Sequence, residues 1–165
     1  MTAAFSKLGP NNATEPYMMS RMKDTFPQTL HFETEPRPED IRALEDGLHR
    51  FNIEATGIHD GRLFAIFLRS SDGTVIGGIN GWTWGATCYV RNLFVPVHLR
   101  GRGFGARLMS DVEAEARGRG CRQIVLETHS FQAPEFYEKL GFAVTGRVEH
   151  YPAGHSFLTM VKRLV

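Results

Sequence analysis

Residues 93–105 read Leu93-Phe94-Val95-Pro96-Val97-His98-Leu99-Arg100-Gly101-Arg102-Gly103-Phe104-Gly105. An apolar run passes here through a loop rich in glycine and arginine into the start of an amphipathic helix. The glycines at 101, 103 and 105 remove side chains that would keep a ligand off the backbone. The first turn of the following helix offers unpaired N–H groups at its positive dipole end. Arg100 and Arg102 add charge able to reach phosphate oxygens. The junction therefore predicts a phosphate-binding turn between a strand and a helix.

Outward from this junction, the elements alternate in type. After the loop, Phe104, Leu108, Val112 and Ala116 recur in four-residue steps, the stripe of a helix packed on a core. Glu113 with Arg117 and Glu115 with Arg119 are surface pairs in the favourable order, and Gly118 and Gly120 supply stopping positions. Residues 123–128 read as a central strand covered from both sides, residues 133–140 as a short helix capped by Gly141, and residues 142–148 and 156–164 as a closing antiparallel pair. Before the junction, 61–69 and 74–84 are strands joined by the turn Ser70-Ser71-Asp72-Gly73, and 88–95 is the strand that enters the loop. A helix opens at Pro38-Glu39-Asp40 and carries Ile41, Leu44, Leu48 and Phe51. Residues 28–34 alternate and read as a first strand, and 52–59 as an irregular connection. The expected fold is α/β in the α+β sense: a central, mixed, mostly antiparallel sheet flanked by helices, with one strand-loop-helix-strand crossover.

The chain has 165 residues, 42% hydrophobic and 22% charged, with a formal net charge of +1. This suits one domain over residues 26–165 preceded by a flexible arm over 1–25. Near-neutrality gives no electrostatic footprint for nucleic acid or an anionic membrane. Cys88 and Cys121 read as buried thiols of a reducing cytoplasm, and the N-terminus lacks the layout of a signal peptide. The histidines at 31, 49, 59, 150 and 155 fall at no metal-ligand spacing, so no metal is expected. A Rossmann reading, with Glu127 as the ribose-binding acid, fails on the third glycine: Gly105 comes one residue early and Ala106 follows.

Arg100-Gly101-Arg102-Gly103-Phe104-Gly105 resembles the pyrophosphate-binding signature of the GNAT superfamily of N-acetyltransferases. Ala133-Pro134-Glu135-Phe136-Tyr137-Glu138-Lys139-Leu140-Gly141-Phe142 resembles that family's second motif, downstream and in order. The resemblance covers residues 28–164. It implies an enzyme that moves an acetyl group from acetyl-coenzyme A (acetyl-CoA) to a primary amine of a small molecule or peptide, by direct transfer in a ternary complex. It places the pyrophosphate on residues 100–105 and the pantetheine on the backbone around Phe94 and Val95. Gln132, Ala133 and Phe136 would line the coenzyme channel, the Leu93 amide would face the thioester carbonyl, and Tyr137 would protonate the departing thiolate. Similar proteins are often homodimers.

The chain departs from the family's pattern in two places. Residues 86–95 hold no Asp or Glu, where many members place a carboxylate that takes the amine's proton; Tyr89, Arg91 and Asn92 stand there instead. Glu127, His129 and His98 are the alternatives, with Glu127 ranked first because it ends the central strand. Ser130 holds the position usually occupied by asparagine before the alanine of the second motif. The competing function is a non-catalytic acyl-CoA-binding sensor of the same fold. The acceptor region maps to residues 51–59 and 149–155, whose composition does not choose among cationic small molecules and peptide amino termini.

Overall fold

The structure, a computed structural model, describes residues 30–164. Contacts divide the chain into two compact units, residues 1–55 and 56–165. In the first unit, α1 (Pro38–Thr56) starts where the Arg37 carbonyl accepts the N–H of Asp40 at 3.0 Å, and the Arg37 guanidinium closes the turn on the Asp40 carboxylate. The helix is longer than the sequence reading, which ended it near Phe51. Nothing between Asn52 and Ala55 breaks a helix, and the stop comes at Gly57, whose φ of +67° is left-handed. The strand expected over 28–34 is absent from residues 30–34, because alternation makes a strand only where a neighbour supplies the ladder. Residues 28 and 29 and the expected arm lie outside the described residues.

The second unit is built on a six-stranded sheet in the order β1-β2-β3-β4-β6-β5, comprising β1 (Arg62–Arg69), β2 (Val75–Trp84), β3 (Thr87–Phe94), β4 (Gln123–His129), β5 (Ala143–Glu149) and β6 (Ser156–Arg163). Every pair is antiparallel except β3 with β4, which are joined through α2 (Phe104–Gly118). The mixed sheet with a single strand-loop-helix-strand crossover is the expected architecture. In the β1–β2 turn, Asp72 accepts from the Ser70 hydroxyl and the Thr74 N–H, which lowers its carboxyl to about 2.

α2 buries Leu108, Met109, Val112 and Ala116 in a core shared with Ile79, Cys88, Val90, Ile124, Leu126 and Met160. Burial there is hydrophobic and worth about 2 kcal/mol for each large side chain. Phe104, the first residue of the predicted stripe, is exposed instead. β4 is buried on one face only: Ile124, Leu126 and Thr128 are buried, whereas Val125 is half-buried and Glu127 exposed. Cys88 and Cys121 are free and buried, and desolvation pushes the Cys88 thiol up to about 12.

Candidate active site

The parallel pairing of β3 with β4 covers only Thr87–Val90 against Gln123–Leu126. Beyond it the strands part. The cause lies on the other side of β3, where the ladder with β2 steps from Asn80↔Asn92 to Gly81↔Val90 and leaves Arg91 as the extra residue of a bulge. Gly81 permits the step, since a Cβ there would lie 1.9 Å from the Tyr89 carbonyl oxygen. The Phe94 carbonyl faces β2, 2.7 Å from where a Cβ on Gly77 would sit. Backbone groups alternate along a strand, so those of Leu93 face the gap.

The gap opens into a cleft of about 910 Å³. Its walls include Leu93, Phe94 and Val95 from β3 and the residues following it, Glu127 from β4, and Gln132, Ala133, Phe136 and Tyr137 around α3 (Pro134–Lys139). Arg100, Gly101, Gly103, Phe104 and Gly105 close one end. Most of the sequence-predicted residues are thus brought together: Arg102 is exposed and does not line the cleft, and of the three proton-acceptor candidates Glu127 lines it whereas His98 and His129 do not. Arg91, Asn92, Leu99, Ala106, Thr128 and Phe131 line it as well, without having been assigned a role from sequence.

The glycines of the loop divide the work. Gly101 and Gly103 have φ of +72° and +82°, the left-handed region that other residues adopt at a cost. Gly105 has a different reason: a Cβ there would meet the Phe136 ring at 3.2 Å. Arg107 makes the first helical bond, to the Gly103 carbonyl, so the N–H groups before it have no partner within α2. Arg100 turns its Nε onto the Val95 carbonyl at 3.0 Å, tying the loop to the end of β3. On the other wall, the Gln132 side-chain oxygen accepts from the Thr128 hydroxyl and the His129 N–H. Ser130 Oγ accepts the Ser156 N–H, a structural task.

Tyr137 is buried, and desolvation raises its phenol above the ordinary value near 10, keeping it a neutral proton donor. Opposite lies a pair the sequence did not reveal: the Tyr89 hydroxyl donates to the Glu127 carboxylate at 2.7 Å, while the Tyr89 ring stacks on Trp82 at 4.4 Å. Burial first, and the Glu127 hydrogen bond second, hold the Tyr89 phenol well above its usual value. Among the described residues, no group of three His, Cys, Asp or Glu side chains is arranged to hold a metal ion. No described helix is long and apolar enough to cross a membrane.

Chemically, the arrangement suits a ligand with two distinct parts. Parted strand edges present backbone donors and acceptors to an extended chain that itself carries amides. The start of α2, with its left-handed glycines, presents N–H groups to an anion. Tyr137 and Glu127 stand on the walls between, one able to give a proton and one to take it.

The comparisons with known proteins agree with this geometry. The model of the Acetyltransferase (GNAT) family matches residues 19–142. Acetyltransferase Atu2258 of Agrobacterium fabrum is 35% identical over 122 residues, covering 74% of this chain and 89% of that protein. Blasticidin-S acetyltransferase of Streptomyces morookaense is 35% identical over 106 residues, 62% of this chain and 76% of the relative. A crystal structure from Agrobacterium tumefaciens superposes with a TM-score of 0.76 at 32% identity, covering 82% of this chain and 98% of the other. This chain belongs to the GNAT family of acetyltransferases, enzymes that transfer acetyl groups from acetyl-CoA.

Proposed function

We propose that the protein moves the acetyl group of acetyl-CoA directly to the primary amine of a small molecule or peptide, both substrates being bound at once. The observation that carries this reading is the early end of the β3–β4 ladder, which leaves unpaired backbone beside Tyr137 and Glu127 in one cleft. The coenzyme supplies an activated thioester and a thiolate leaving group. Residues 100–105 hold its diphosphate through main-chain N–H groups and the Arg100 charge, and the backbone around Phe94 and Val95 meets the pantetheine, apart from the Phe94 carbonyl, which faces β2. The Leu93 N–H, facing the gap, donates to the thioester oxygen as charge develops on it. Glu127 accepts the proton that the ammonium must lose, and Tyr137 gives one to the sulfur.

Neither cysteine serves as a covalent carrier, since both are buried in the core away from the residues lining the cleft. Two buried thiols suit a cytoplasmic location. The sensor reading drew on the lack of a carboxylate on residues 86–95; Glu127, reaching the same cleft from β4, answers that lack. A thiol-release assay with acetyl-CoA and a panel of amines tests the proposal. Thiol release that depends on the amine, with acetylated amine as product, is expected. Coenzyme binding with no thiol release for any amine would refute it.

A further inference from the structure

The side chains of β4 alternate between faces, so Glu127 and His129 project from the same one. From His129 onward that face is aromatic. The His129 ring stacks on Phe131 at 5.1 Å and meets the edges of Tyr151 at 5.6 Å and Phe157 at 5.1 Å. Phe131 in turn packs against His155 at 4.9 Å, and Tyr151 against Phe157 at 5.3 Å. Two of these rings are more than half exposed, Phe131 at 54% and Tyr151 at 56%. Phe131 also lines the cleft that holds Glu127 and Tyr137, so the aromatic wall is continuous with the reacting end.

Charge sets the second constraint. Glu127 is the one carboxylate among the residues lining the cleft, and Arg91 and Arg100 line it too. Glu149, the last residue of β5, already accepts from the Ser156 hydroxyl at 2.6 Å and pairs with Arg147 at 3.5 Å. With Arg100 committed to the diphosphate, an acceptor carrying several ammonium groups would meet the single carboxylate of Glu127, itself accepting from Tyr89, and the Arg91 guanidinium, a poor electrostatic match. A single ammonium beside a flat apolar body matches both features, because exposed rings bind such bodies by stacking and edge contacts.

We infer that the acceptor is a monoamine bearing an aromatic or similarly flat group close to its amino carbon, with Glu127 on the amine and Phe131 and Tyr151 against the flat group. This rests on the acetyl-transfer reading above and narrows it. The test is steady-state acetylation of 2-phenylethylamine, hexylamine and spermidine by the full chain, with the KM for acetyl-CoA read in the same assays. The kcat/KM for 2-phenylethylamine should exceed that of both other amines by about tenfold. Tyr151→Ala should bring the ratio of phenylethylamine to hexylamine toward one through the acceptor KM, and Tyr151→Phe should restore it. Acetylation with spermidine equal or preferred, or a Tyr151→Ala loss shared equally by all three amines, would overturn the inference while leaving acetyl transfer intact. Failure of every amine in the presence of bound acetyl-CoA would overturn the acetyl-transfer reading and this inference with it.

Discussion

Tyr89 on β3 donates its phenolic hydrogen to the Glu127 carboxylate on β4 at 2.7 Å, bridging the two strands just where they part. Stacking on Trp82 fixes the Tyr89 ring, so the hydroxyl is a preset donor and not a mobile one. A carboxylate that must accept a substrate proton gains from being held in one orientation. Tyr89 is thus a positioning residue. Tyr89→Phe keeps the ring and removes the donor; losing a hydrogen bond to a charged group should lower kcat/KM for the amine by about tenfold. The KM for acetyl-CoA should hold. Ultraviolet titration gives an independent reading: the wild type should hold two phenols un-ionised above the ordinary tyrosine range, those of Tyr89 and Tyr137, and the variant one fewer. A fall in Tm with unchanged kinetics would assign Tyr89 to the sheet alone.

Tyr137 faces the same cleft from α3, buried and with its pKa raised by desolvation alone. A phenol raised in this way stays protonated through neutral pH and releases its proton only to a stronger base, such as a thiolate still forming. Tyr137→Phe should lower kcat by about a hundredfold or more, the usual size of a general-acid contribution, with coenzyme affinity by calorimetry little changed. The turnover of this variant should also recover with acyl thioesters whose thiol is more acidic, because these need less help to leave. Unchanged kcat would remove Tyr137 from the chemistry.

The strand-loop-helix junction was legible because its signals are local: positive-φ glycines at 101 and 103 followed by the stripe Leu108, Val112 and Ala116. So was the second motif, carried by consecutive residues. What sequence could not give was whatever depends on strands meeting. Tyr89 and Glu127 stand 38 positions apart, and only the parallel register of β3 with β4 makes them partners. The bulge at Arg91 depends on Gly81, a residue that in the linear chain is merely a glycine in an apolar strand. The aromatic wall draws on β4, β6 and two loops, so no periodicity announces it. In the other direction, the alternation over residues 28–34 suggested a strand that lacks any neighbour to pair with, at least over 30–34. Gly105 was read as clearance for a ligand, whereas its nearest neighbour is the Phe136 ring.

Gly81 sets the geometry of the cleft from outside it. An alanine methyl there would lie 1.9 Å from the Tyr89 carbonyl oxygen and 2.8 Å from the Phe64 ring, so β2 and β3 would have to separate. Overpacking of this kind costs about 3 kcal/mol, and for a chain of this size Tm should fall by roughly 10 °C. Because Leu93, whose backbone faces the gap, belongs to the displaced strand, acetyl-CoA affinity should fall as well. Gly118→Ala is the contrasting case: it sits in α2 with nothing within 4 Å of the added methyl. There the expected change is a gain of about 0.5 kcal/mol from lower unfolded-state entropy. Scanning calorimetry of both variants checks the contrast, and equal Tm values would refute the close approach at Gly81.

Acid stability should depend on Glu113, which joins α2 to β6. Its carboxylate accepts from Lys162 on β6 and from Arg117 one turn along its own helix at 2.9 Å. The Lys162 hydrogen bond first, then that of Arg117, lowers its pKa against the opposing effect of burial. Since the folded value lies below the unfolded one, the unfolded chain binds more protons in mild acid. The stabilisation is therefore complete above the unfolded value of about 4.3 and is lost as pH falls through the folded value. Glu113→Gln removes that titration. The drop in Tm between about pH 6 and about pH 3 should be smaller in the variant than in the wild type, with Lys162→Met moving it the same way. An identical drop in all three proteins would mean that this ion pair adds nothing to the docking of α2 on the sheet.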